Sequence, residues 1–314
     1  MDLIHFRMVM PSALTEEAVA LLASHDRVLN LVVLREAHLP GGDAVECDVL
    51  KGAANGVLGD LRELGVDRTG SIAVADVDMM FSQSAERIEV AQPSPLVHTP
   101  LWAAVEAHIR AAGTYPPSFY LFLVIAGLIG SVGIMTNSQI LIVAAMVVGP
   151  EYNAITSIAL GLDRRGRRRV REGARALAVG FALAIAVTLG FAALARAAGL
   201  QSTAFDLGLR PVSHLIDTPD FFSVAVAVLA GIVGIVSLTE ARASALLGVF
   251  ISVTTIPAAS DIAVSLAFAD WHEARGSLVQ LLLNVAVLVI VGVLTLRVQR
   301  RLWHRAARRA GAQR

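Results

Sequence analysis

The chain has 314 residues, 55% of them hydrophobic, a mean hydropathy of +0.66, and 26 basic against 26 acidic side chains. A soluble domain is about 45–50% apolar, so the composition excludes a protein that is solvated throughout. The single cysteine, Cys47, excludes an intrachain disulfide. The zero net charge conceals arginines gathered into two runs.

Residues 1–11 lack the basic region, apolar stretch and small-residue cleavage site of a signal peptide, and none is expected. A β-α-β-β-α-β rhythm follows. Leu3–Met10 reads as a strand, and Thr15–Ser24 as a helix with Thr15 as its N-cap. Val28–Arg35 is a strand, His38–Asp43 a turn carrying Pro40-Gly41-Gly42, and Ala44–Leu50 a strand. Ala53–Leu64 is a helix closed by Gly65, and Ser71–Asp78 the last strand. This order predicts a small α+β ferredoxin-like domain over residues 1–81, one sheet with two helices on one face. Cys47 is expected to be buried in its strand. Such a fold leaves function open: covering or assembly, or ligand sensing.

Residues 82–117 read as a linker with Pro93 and Pro95, then an amphipathic helix over Pro100–Ala112, stopped by Tyr115-Pro116-Pro117. Leu101, Trp102, Val105 and Ile109 fall near one face, which places this helix at the cytoplasmic membrane surface with Trp102 at headgroup level. His98 and His108 are expected to be solvated.

Residues 118–298 form a membrane domain of six spans, Phe119–Met135, Gln139–Leu162, Gly173–Ala195, Phe221–Leu238, Ser244–Ala269 and Ser277–Leu296. The loop from Asp163 to Arg171 is arginine-rich, as is the tail 299–314. The loop Gly199–Asp220 carries only Arg210 against Asp206, Asp217 and Asp220. The positive-inside rule therefore puts both termini in the cytoplasm of a cell with an inner (plasma) membrane location. The basic runs are read first as topology determinants and second as contacts for anionic lipid; no nucleic-acid partner is expected.

The apolar half reads twice. Shifted by 107 positions, Gly127 falls on Gly234, Pro150 on Pro257, Asn153 on Ser260, Ile155 on Ile262 and Asp163 on Asp270. Three spans per copy make the second copy enter from the opposite side. The chain is therefore expected to hold two inverted three-span repeats, 118–198 and 221–298.

Proline in a helix removes a hydrogen bond and clashes with the preceding turn. Gly149-Pro150 is expected to break the second span and Pro257 the fifth. Such breaks at membrane depth are tolerated where they are buried in protein or line a wet cavity. Two acids follow them, Glu151 and Asp261, with Tyr152, Asn153, Thr254, Thr255 and Ser260 close by in sequence. An acid near mid-bilayer costs about 2.5–3.5 kcal/mol, which points to a bound cation or a proton. Glu151 would also complement the dipole of its half-helix. Asn284 is read as possible support from the last span, Gly127, Gly130 and Gly133 as a close-packing stripe, and Asp270-Trp271-His272-Glu273 as a solvated loop.

Several of these segments resemble one family. Leu39-Pro40-Gly41-Gly42-Asp43, Leu64 to Ile72, Ser138 to Met146, Gly248 to Pro257 and Asn284 are similar to the DUF389 family, uncharacterised hydrophobic membrane proteins of bacteria and archaea. The resemblance runs over nearly the whole length. It implies a multi-span membrane protein and brings no settled substrate. The chain departs from the family at both breaks. Pro150-Glu151-Tyr152-Asn153-Ala154-Ile155 stands where the family reads Pro-Leu-Met-Gly-Pro-Ile. Pro257-Ala258-Ala259-Ser260-Asp261 stands where it reads Pro-Pro-Leu and small residues.

The expected function is a membrane transporter or channel, cation- or proton-linked, with its site at the paired breaks. The competing readings are a membrane-anchored sensor or assembly protein and, more distantly, an intramembrane acid pair that catalyses. No P-loop, dinucleotide fingerprint, nucleophile elbow or zinc-ligand spacing is present, so neither an enzyme nor a cofactor is expected. Expected partners are membrane lipid, a small ion or solute, and further copies of the chain, a dimer being favoured.

Overall fold

The computed structural model describes residues 3–38, 41–77, 80–91, 99–202, 205, 221–239 and 255–312. The chain divides into two compact units, Met1–Val105 with Arg300–Arg314, and Glu106–Gln299.

The first unit is built on a four-stranded antiparallel sheet of order β2-β3-β1-β4, with β1 Leu3–Met10, β2 Val28–His38, β3 Gly42–Leu50 and β4 Ser71–Val77. In the central strand Ile4, Phe6, Met8 and Met10 alternate onto one buried face, as the two-residue period of a strand requires. Phe6 lies opposite Cys47 on one side and Val74 on the other. Helices α1, Ser12–Ala23, and α2, Lys51–Glu63, cover that face with Ala18 and Leu22, and with Val57, Leu58 and Leu61. A four-residue helix α3, Val66–Thr69, follows Gly65, whose φ of 85° suits glycine.

Four local expectations need correction. Pro11, with φ −58° and ψ 140°, ends β1 and starts α1, so Thr15 is an interior helical residue rather than the N-cap. Its hydroxyl donates instead to Asp43 Oδ2 at 2.7 Å. β2 runs on to His38, with register shifts near left-handed Asn30 and Glu36 (φ 52° and 53°). The presumed linker contains helix α4, Gln83–Ala91, whose first turn is capped by Ser82 Oγ accepting from the Ala85 N–H at 3.3 Å; Pro93 and Pro95 lie outside the described residues. In α5, Trp102–Ala112, the face expected to meet lipid is buried in protein at Leu101, Val105 and Ile109.

Unit two contains α6 Pro117–Met135, α7 Gln139–Val148, α8 Glu151–Asp163, α9 Arg167–Ala197, α10 Phe221–Thr239 and α11 Thr255–Ala267. The helix α12, Trp271–Ala312, begins here and continues past Gln299. Among the described residues α6, α9, α10 and α12 are long and apolar enough to cross a membrane. The α7–α8 pair makes a fifth if it counts as one span, bent by 49°. These helices mark a membrane protein. The first part of the expected fifth span lies outside the described residues, and α11 is the part described. The Asp270–Glu273 segment is not a loop: Asp270 Oδ1 accepts from the Glu273 N–H at 3.2 Å, and Trp271 starts α12. Likewise the arginines from Arg167 onward begin α9.

Two tests follow from the sheet. Asp43 is buried and accepts from the Glu36 backbone N–H, Thr15 and Ser12, which together hold its carboxyl below the usual range, the Glu36 N–H contributing most. A depressed carboxylate stabilises the fold above its unfolded pKa, about 3.9, and loses that contribution as pH falls through the folded value. Asp43→Asn should raise hydrogen exchange in residues 43–50 at pH 7, and wild type and variant should converge once pH falls below the depressed pKa of the folded state, after correction for intrinsic rates. Cys47 is 1% exposed, and burial, helped by Asp48, pushes its thiol up to about 12. It should resist a maleimide at pH 8 in the native protein and react on unfolding.

Candidate functional site

The site grows from the break between α7 and α8. Gly149 is extended (φ −67°, ψ 129°) and Pro150 precedes α8 as its N-cap without a side-chain cap. The chain turns here because Pro150 has no N–H to continue the helix. Glu151 opens α8 at 5% exposure. Its Oε1 accepts from Thr255 Oγ1 of α11 at 2.7 Å. Its Oε2 has no hydrogen-bond partner among the described residues. That oxygen lies over the Gly149 Cα, where a Cβ would overlap it and would come within 2.7 Å of Ile256 Cγ1. Glycine at 149 is therefore what lets the carboxylate turn back across the break.

The other expected site residues divide into those near this carboxylate and those elsewhere. Tyr152 is buried beside it in sequence, with its hydroxyl against the Cα of Gly234 in α10. Asn153, one residue on, is exposed and does not join the cluster. Thr254 lies outside the described residues. Pro257 is not at a described break; it is the third residue of α11 and buried. Ser260 is fully buried, with Oγ 3.1 Å from the Gly127 carbonyl of α6 and 3.0 Å from that of Ile256. Asp261 belongs to a second cluster, where its Oδ2 accepts from Ser277 Oγ at 2.6 Å and Ser265 Oγ at 3.5 Å. Six residues separate Thr255 from Asp261 along α11, about 9 Å of helical rise. The two acids thus sit in separate hydrogen-bonded groups. Asn284 accepts from Gln280 Nε2 at 3.2 Å, both side chains buried.

Sequence reasoning missed Ser265, Ser277, Gln280 and Thr188. Ser277 and Gln280 had a signal, recurring with Asn284 at helical spacing on one face of α12, and Ser265 stands four residues after Asp261 on α11. Thr188 of α9 had none, because a lone threonine in an apolar helix is ordinary; its buried Oγ1 has no partner among the described residues and faces Gly127. The glycines of α6 are packing positions: a Cβ at 127 would lie 2.7 Å from Thr188 Oγ1, one at 133 would lie 2.8 Å from Ile142 Cγ1, and one at 130 would overlap Ser260 Oγ. α11 packs on α6, α7 and α9, and α8 on α9. α8 also meets α10 at Gly234 and α12 at Gly292, whose Cβ would come within 3.1 Å of Ala159.

No three His, Cys, Asp or Glu side chains converge on a metal position among the described residues. Among the described residues the side-chain oxygens that meet at the break are the Glu151 carboxylate and the Thr255 hydroxyl.

Residues 146–290 match the family model described as a domain of unknown function, DUF389. That portion, just under half of the chain, is similar to the DUF389 family. The match begins at Met146, just before the break, and takes in Glu151, Asp261 and Asn284. The first unit's β-sheet, α6 and most of α7 lie outside it, so the resemblance along nearly the whole chain is shown for this portion. No curated protein and no solved structure matches the chain.

In the matched portion the Tyr152–Gly234 contact is the sharpest packing constraint. Gly234→Ala should lower the thermal midpoint in detergent by the equivalent of about 1–3 kcal/mol, the usual cost of overpacking. Tyr152→Phe in the same chain should recover part of that loss. An unchanged midpoint in Gly234→Ala would mean that α8 and α10 do not pack here.

Proposed function

We propose that the protein is a membrane transporter or channel, linked to a cation or a proton, whose site is the broken span at Glu151. One observation carries this: a carboxylate 5% exposed, with one oxygen held by Thr255 and the other unpartnered among the described residues. Burying an ionised carboxylate without compensation costs several kcal/mol, so the group takes a proton or a cation. A single acid beside a hydroxyl oxygen suits a proton or a hard monovalent ion better than a soft metal. Asp261, which already has two hydroxyl donors, becomes a secondary candidate.

The same reading includes six spans in two inverted repeats. Its support is the cross-packing of the short helices. α11 of the second repeat lies on α6 and α9 of the first, and α8 of the first meets α10 and α12 of the second. The matched glycines behave alike: Gly127 accepts from Ser260, and Gly234 receives Tyr152. The antiparallel order β2-β3-β1-β4 with α1 and α2 as connections supports a ferredoxin-like soluble domain. Arginine placement supports cytoplasmic termini in a plasma membrane. Exposed apolar side chains on α10 and α12, such as Leu229 and Leu282, offer faces to lipid or to a second copy in a homodimer.

The test is the melting temperature of the detergent-purified protein across pH and a panel of chloride salts, for wild type and Glu151→Gln. Wild type should show a saturable shift with pH or with one cation, since a ligand of the folded state alone stabilises it by RT ln(1 + [L]/Kd). Glu151→Gln should abolish the shift. Thr255→Val should weaken it by about tenfold in midpoint concentration, the equivalent of one hydrogen bond. Indistinguishable titrations of wild type and Glu151→Gln would remove the carboxylate from any ion site.

A further inference from the structure

A second site lies at the other end of α8. The turn from α8 to α9 and the first turns of α9 enclose a groove of about 450 Å³. Arg165, Arg167 and Arg171 line it with Leu162, Val170 and Ala174. Helix geometry sorts these residues. Arg167 and Arg171 are four apart on α9, and so are Val170 and Ala174, giving a basic stripe beside an apolar one. Arg165 comes from the turn. It adopts the left-handed conformation (φ 56°) while the Gly166 N–H donates to the Gly161 carbonyl at 2.7 Å, closing α8.

The arginines of this run are not equivalent. Arg164 pairs with Glu106, and Arg168 donates to Glu172 at 2.7 Å. The two acids adjacent in sequence to groove residues are also engaged, Asp163 by Arg297 at 3.2 Å and Glu172 by Arg168. Arg165, Arg167 and Arg171 form no ion pair with a carboxylate among the described residues. Three guanidinium groups that form no direct ion pair among the described residues, beside an apolar wall, match a ligand with a phosphate at one end and hydrocarbon at the other. Leu162 is 43% exposed on the outer face of a span, where acyl chains would lie.

We propose that this groove binds an anionic phospholipid, its phosphate on Arg165, Arg167 and Arg171 and its acyl chains along Leu162, Val170 and Ala174. The site is independent of Glu151 and stands or falls separately from the transport reading. A free phosphate would satisfy the guanidinium groups equally but would leave the apolar wall unused.

Native mass spectrometry of the intact protein in uncharged detergent tests it, with phosphatidylglycerol, phosphatidylcholine and glycerol phosphate as probes. Wild type should retain phosphatidylglycerol over phosphatidylcholine. Arg165→Gln/Arg167→Gln/Arg171→Gln should weaken phosphatidylglycerol binding about tenfold or more, given the contribution of each basic residue near a membrane surface. Arg164→Gln/Arg168→Gln/Arg169→Gln removes the same charge outside the groove and should leave binding within about twofold. Ala174→Trp, which fills the apolar wall without changing charge, should also release the lipid. Equal losses in the two triple variants would overturn the proposal in favour of general surface charge. Glycerol phosphate binding as tightly as the lipid, and lost in the groove variant, would overturn it in favour of a soluble anion.

Discussion

One hydrogen bond organises the membrane unit: Thr255 to Glu151, across 104 residues of sequence. A helix interrupted at membrane depth frees backbone groups and admits a side chain that water cannot reach. The break at Gly149-Pro150 turns the Glu151 carboxylate inward, and α11 supplies the one side-chain donor among the described residues. Gly149 is required because the carboxylate uses the space a Cβ would take. Removing either partner leaves a buried polar group unmatched, which costs more than the bond itself contributes.

That bond depends on helices approaching closely. In a bilayer, lipid tails are as apolar as leucine, so helices associate through van der Waals packing and hydrogen bonding rather than through hydrophobic burial. The glycines of α6 let Ser260, Thr188 and Ile142 come against backbone, and the same device at Gly234 receives the Tyr152 ring. Small residues therefore determine where polar groups can be buried, and hydroxyls from α11 then reach carbonyls or carboxylates on neighbouring helices.

The three buried acids show how supply of donors separates structural from candidate functional groups. Asp43 takes bonds from two hydroxyls and a backbone N–H, and ties α1 and β2 to β3. Asp261 takes two serine hydroxyls. Among the described residues Glu151 takes one side-chain hydroxyl, and its second oxygen has no partner there. All three are carboxylates; the donors around them among the described residues differ, and with them the readiness to accept a proton or an ion.

Much was legible in the sequence because it is local. Apolar length marked α6, α9, α10 and α12, since a helix satisfies its own backbone and needs only composition to sit in lipid. Proline marked the bend before α8, and alternation marked β1 and β3. What failed was whatever depends on a distant partner or on direction around a helix. Thr15 looked like a cap and is a ligand of Asp43, because Pro11 already starts the helix. Tyr152 and Asn153 looked equivalent, yet about 100° of rotation per residue buries one and exposes the other. Glu151 and Asp261 looked like a pair, and α11 and α12 give them different donors. Sequence by itself determined which segments are apolar, where the chain breaks and where charge collects. Only the tertiary structure decided which buried polar atoms are satisfied, because a hydrogen bond is made by atoms that meet in space and the sequence does not record which atoms meet.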